Sequence, residues 1–215
     1  VISSEGGSGG SDTLDIVNGG GSSADRLLVE LSGNVTLNGK IIPRNGTGNI
    51  LIQRVEKLEI TGSDGDDRFD FSSYFGAVTL NAGAGDDTYI GTEQGDVVLG
   101  GDGDDVIDGR GGNDYVLGGA GNDAMRGGEG DDIFVGDLGN DTMLGGVGND
   151  FLLGSGGRDV ILGEEGDDVV RGQGTADQVS AGGNGVEPSP GDILLTDAVD
   201  QVFEDDLLFD FDALL

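Results

Sequence analysis

Eleven aspartates stand nine residues apart with none missing: Asp87, Asp96, Asp105, Asp114, Asp123, Asp132, Asp141, Asp150, Asp159, Asp168 and Asp177. Each closes a glycine-rich turn, as in Gly100-Gly101-Asp102-Gly103-Asp104-Asp105. Asp67, in the equally regular segment Gly62–Asp70, is a twelfth. A carboxylate is a hard oxygen donor. A glycine-rich turn adds backbone carbonyls, because glycine accepts φ > 0 and lets the backbone come close to a ligand. Many hard oxygens together suit calcium, which takes six to eight of them. The chemistry on offer is repeated binding of a divalent cation, and no catalytic residue is assigned.

Composition narrows the alternatives. The chain has no Cys and no His, which removes thiol catalysis, serine–histidine catalysis and ordinary zinc sites. A formal charge of −32 leaves nothing to neutralise nucleic-acid phosphates. No apolar run approaches the ~20 residues of a membrane span. With 46 glycines in 215 residues, an ordinary globular core would be costly to order, since glycine loses the most backbone entropy on folding. Metal-binding energy can offset that cost. Without metal, the same charge and glycine content predict disorder.

The elements that must hold these aspartates follow from the repeat. From Ala82 to Ser180 the frame Gly-Gly-x-Gly-x-Asp-x-apolar-x runs through eleven units without slip. The eighth position is always large and apolar or aromatic: Tyr89, Val98, Ile107, Val116, Met125, Phe134, Met143, Leu152, Ile161, Val170, Val179. Residues alternate sides along a strand, so x-apolar-x reads as a three-residue strand with its middle side chain inward. The other six residues turn. Two units make an 18-residue coil with two strands and two turns, and coils stack as a parallel solenoid. Stacking sets Asp87 near Asp105 and Asp96 near Asp114, and a calcium between successive turns would convert repelling carboxylates into ligands. The fifth-position residues Asp86, Asp104, Asn113, Asn122, Asp131, Asn140, Asn149 and Asp167 should mostly face solvent.

These nonapeptides resemble the RTX (repeats-in-toxin) calcium-binding β-roll. The resemblance covers residues 82–180 and implies an all-β parallel β-roll, secretion to the outside or a cell surface, disorder without calcium, and folding when calcium binds. It implies calcium ligation by Asp67 and the eleven sixth-position aspartates. Gln94 and Thr175 replace the fourth-position glycine and weaken the pattern at their own turns.

Outside that core the pattern loosens. Residues 1–81 read as irregular, wider coils with degenerate repeats at Gly7–Asp15 and Gly20–Leu28. Apolar runs at Arg26–Leu31, Val35–Leu37, Lys40–Ile42, Ile50–Ile52 and Val55–Ile60 are separated by turn signals. A separate small β-sandwich is the alternative. Asp67 falls one coil before Asp87, with Phe71–Asn81 as a spacer. The order of apolar strands followed by a Gly/Asp unit resembles the coils that lead into β-rolls in large bacterial surface proteins. The start at Val1, with neither methionine nor signal pattern, reads as a processed or trimmed product. Residues 181–215 form a loop, one further strand near Asp192–Leu195, and an acidic–apolar tail. That tail reads either as a cap, with Val202, Phe203, Leu207, Leu208, Phe209 and Phe211 closing the last coil, or, by resemblance, as a type I secretion signal.

The flanks of the inward residues differ between the two strands of a coil. On one sheet the outward positions are Val97, Leu99, Tyr115, Leu117, Ile133, Val135, Phe151, Leu153, Val169 and Arg171; on the other they are mixed. A face this apolar marks an interaction site, for copies of the chain or a surface partner, unless a terminal segment covers it. Three functions follow: a calcium-hardened extracellular structural rod, the calcium-folding export module of a larger secreted toxin or hydrolase, and a polysaccharide-binding or -active β-helix. The last needs a carboxylate pair outside the repeat, and none is evident.

Overall fold

The computed structural model describes residues 2–3, 26–30, 35–36, 57–173, 177–182, 193–195 and 201–202. Its strands form two parallel sheets facing each other across one narrow core, and no helix occurs among the described residues. Among the described residues sheet I has ten strands and sheet II nine, and from Arg26–Glu30 on successive strands alternate between them. The 18-residue coil is explicit in the register: Tyr115 lies opposite Val97 and Ile133, and Ala124 opposite Val106 and Thr142.

Every eighth-position side chain points inward and is buried, from Tyr89 and Val98 to Val170 and Val179. They form one continuous column, which is why the eighth position is never polar. Most strands of the repeat exceed the expected three residues. The strands from Val97–Asp102 to Val160–Glu165 each run six, because the glycine pair carries the ladder on before the chain turns, whereas Val169–Arg171 and Gln178–Ser180 keep three.

The N-terminal coils are wider. The spacer expected over Phe71–Asn81 is instead a turn followed by a sheet I strand, Ala77–Ala84, paired with Lys57–Thr61. Its two extra residues make room for buried Phe71 and Tyr74, while Phe75 is 91% exposed. Strand Arg68–Asp70 pairs with Thr88–Ile90, so Asp67 does sit one coil before Asp87. Strand Arg26–Glu30 joins sheet I against Lys57–Thr61, and Val35–Thr36 joins sheet II. At the other end Ile193–Leu195 stacks on Val169–Arg171, and Gln201–Val202 on Gln178–Val179. The runs Lys40–Ile42 and Ile50–Ile52, the repeat Gly7–Asp15 and the tail from Phe203 onward lie outside the described residues.

Candidate metal centre

The sixth-position aspartates line the two turn columns and are buried, Asp67 and Asp87 included. Their stacking differs from the expected carboxylate-to-carboxylate approach. At Asp87 and from Asp105 to Asp177 the side chain reaches back one coil, where Oδ1 accepts the backbone N–H of the preceding Asp; at Asp96 the donor is Val78 N–H. Asp87 Oδ1 accepts Asp67 N–H at 2.7 Å, Asp105 Oδ1 accepts Asp87 N–H at 2.8 Å, and Asp132 Oδ1 accepts Asp114 N–H at 2.7 Å. The pattern continues to Asp177, whose Oδ1 accepts Asp159 N–H at 2.9 Å. A turn N–H in a dry interior needs a partner, and the sixth-position carboxylate supplies it.

The second oxygen is left open. Oδ2 of Asp87, Asp105, Asp114, Asp123, Asp132, Asp141 and Asp150 is buried with no hydrogen-bond partner. It lies against the first-position glycine of its own unit. A Cβ on Gly100, Gly109, Gly118, Gly127, Gly136 or Gly145 would collide with it. The same Cβ would crowd a first-position carbonyl one coil on, for example Gly136 O for Gly118 and Gly154 O for Gly136. Gly154, Gly163 and Gly172 hold the same place beside Asp159, Asp168 and Asp177. At Asp87 the first position is Ala82, so a methyl already narrows that corner. A buried carboxylate oxygen without a donor, facing a glycine corner and a carbonyl from the next coil, fits a hard cation. No three acidic side chains converge on one point among the described residues, so carbonyls must complete each ligand set.

Burial, which penalises the charged form, pushes these carboxyls upward. Asp114 rises to about 8, Asp105 and Asp150 to about 7, and Asp87, Asp123, Asp132 and Asp141 to about 6. The N–H that each accepts opposes the rise. Neighbouring carboxylates add to it at most of them, as Asp132 and Asp96 do for Asp114. Free carboxyls titrate near ~4. In the metal-free chain the folded form therefore holds protons more tightly than the unfolded form. This contribution to stability is complete below about pH 4 and disappears as pH rises through about 6 to 8. In excess chelator the β signal in circular dichroism should grow as pH is lowered from 8 to 4. An unchanged spectrum would contradict burial of these carboxyls.

The fifth-position side chains do face solvent, but they form a ladder that sequence reasoning missed. Asp104 Oδ1 accepts Asn122 N–H at 2.7 Å, and Asn122 Oδ1 accepts Asn140 N–H at 3.0 Å. The other column runs Asn113, Asp131, Asn149, Asp167 in the same way. Most turns are thus held twice: inside by the following coil's sixth residue, outside by the preceding coil's fifth. The Asp/Asn-only usage at most of these positions is the signal that could have shown it, since short side chains of this kind cap nearby backbone N–H groups.

Against this geometry a family comparison gives one answer. The RTX calcium-binding nonapeptide repeat matches in four copies, over residues 74–98, 90–125, 117–152 and 153–184. Those residues contain all the open carboxylates. No curated protein matches the chain.

Proposed function

Because the chain belongs to the RTX calcium-binding nonapeptide-repeat family, we propose that it is an extracellular calcium-folded rod that assembles side by side with copies of itself. Its repeats bind several calcium ions. The ligand assignment is ours. Oδ2 of Asp87, Asp105, Asp114, Asp123, Asp132, Asp141, Asp150, Asp159, Asp168 and Asp177 would hold the ions, with first-position carbonyls of the next coil. Bound calcium supplies the positive charge that buried carboxylates otherwise lack. The chain's own residues do the rest: Oδ1 caps the neighbouring coil, and glycine keeps the corner clear.

The outer face of sheet I carries the assembly reading. Val97 and Leu99 are 37% and 36% exposed, and Tyr115, Ile133 and Phe151 are 41–43% exposed. Leu117, Val135 and Leu153 lie between them, half-buried. The matching positions of sheet II are less exposed, with Ala124, Leu144 and Leu162 buried and Val106 and Val160 half-buried. A second copy suits the face for two reasons. Its apolar rows repeat once per coil, so a partner of the same period matches every row. It also carries no acid from Val97 to Leu153 at its outward positions, which lets two such acidic chains approach there without facing carboxylates. Contiguous apolar patches larger than a few hundred Å² are otherwise uncommon on soluble monomers.

Light scattering in calcium tests this. The wild type should form oligomers or filaments, and Tyr115→Lys with Phe151→Lys should remain monomeric while keeping its β signal. A monomeric wild type, or a double mutant that assembles unchanged, would remove this face from consideration. The export-module reading draws on the family and on the acidic–apolar run from Val199 to Leu215. The intact mass of the native product separates it from the structural one.

A further inference from the structure

Two of the twelve carboxylates are built differently. At Asp96 the protein satisfies both oxygens. Oδ2 accepts the Thr92 N–H and the Tyr89 hydroxyl, each at 2.9 Å. Oδ1 accepts the Val78 N–H at 2.7 Å and the Thr92 hydroxyl at 3.1 Å. At Asp67, Oδ2 accepts the Ser63 N–H at 2.9 Å and the Ser63 hydroxyl at 2.8 Å. Ser63 and Thr92 occupy the second position of their units. In the units of the open carboxylates Asp87 and Asp105 to Asp150 that residue is left-handed, with φ of 123° at Gly83 and Gly101, 72° at Arg110 and 79° at Asp137, whereas Ser63 and Thr92 stay out of that region. In the left-handed units Oδ2 receives nothing from the second residue, as at Asp87, Asp105, Asp114 and Asp141. In the other two, an N–H and a hydroxyl close on it. A carboxylate surrounded by donors presents hydrogens, not lone pairs, to an approaching cation.

The same stretch holds the broadest part of the core. Leu58, Phe69, Phe71, Leu80 and Tyr89 are buried within it, and the Phe71 and Tyr89 rings lie 5.7 Å apart. Arg110 ties its turns together, donating to Ser72 O at 3.0 Å and pairing with Glu93 at 2.8 Å. Later coils have one inward apolar residue per strand and open carboxylates.

We propose that residues 58–96 form a nucleus that folds without calcium, because at Asp67 and Asp96 the hydroxyls of Ser63, Thr92 and Tyr89 take the place that calcium takes further on; of its three sixth-position carboxylates only Asp87 keeps an oxygen open to metal. The calcium columns begin at Asp114 on one side and Asp87 on the other. The nucleus presents a preformed pair of strand edges on which calcium-bound coils stack toward the C-terminus. This rests on the calcium reading of the other carboxylates.

Native mass spectrometry of the full chain, with Asp96→Asn beside Asp114→Asn, tests the site. Asp96→Asn should bind as many calcium ions as wild type, and Asp114→Asn should lose at least one. Equal losses would overturn the closed site. Hydrogen exchange of wild type in chelator tests the nucleus without any variant. Amides within 58–96 should stay protected while those of 106–171 exchange freely, and uniform exchange along the chain would overturn it. A wild type that binds no calcium at all would instead refute the parent reading.

Discussion

Removing calcium should abolish most of the β signal of residues 97–180, the largest effect expected for this protein. Each later coil buries two apolar side chains, as Ile107 and Val116 do, while ordering a turn rich in glycine. The coils from Asp105 to Asp150 also bury carboxylates with an open oxygen, as at Asp105 and Asp114. An unsatisfied buried polar atom costs about 1–3 kcal/mol, and more when charged. Calcium reverses the sign of that contribution, and an ion present at a hundredfold excess over its Kd adds about 2.7 kcal/mol per site. Circular dichroism should therefore show a cooperative rise in β content on titrating calcium into chelated protein. Magnesium should replace it poorly, since that ion demands a smaller octahedral site and sheds water reluctantly. Identical spectra in chelator and in calcium would refute the assignment of the open oxygens to metal.

Asp123→Ala should be far more damaging than Asp104→Ala, although the two residues belong to successive coils of the same column and both carry a carboxylate. Asp123 is 2% exposed, caps the Asp105 N–H at 2.9 Å and turns its open oxygen to the Gly118 corner. Its loss leaves a buried N–H without a partner, at about 1–3 kcal/mol, and deletes a calcium ligand as well. Asp104 is exposed and accepts from Asn122, whose N–H and amide can turn to water instead. The calcium concentration at the folding midpoint, followed by circular dichroism, should rise sharply for Asp123→Ala and barely move for Asp104→Ala. Equal shifts would show that inner and outer columns share the load, and the ligand assignment would fail.

The repeat by itself determined the architecture. Its period is local: nine residues return the chain to the opposite sheet, and eighteen return it to the same one. Spacing alone therefore put Val116 over Val98, Asp114 over Asp96 and every eighth residue in the core. The same alternation separated the apolar face of Tyr115 and Phe151 from the mixed face of Ala124 and Leu144. Only the tertiary structure decided which atoms meet. It showed that a sixth-position carboxylate caps the N–H one coil back, that the fifth positions form a ladder of their own, and that Phe71–Asn81 continues a sheet. It also separated Ser63 from Ser155, the same residue at the same place in the unit. Ser155 is left-handed with φ of 77°, whereas Ser63 is not and donates twice to Asp67. The residue type at that position does not fix the sign of φ. That sign, read only from the folded chain, goes with whether the second residue closes on the carboxylate or leaves its oxygen open.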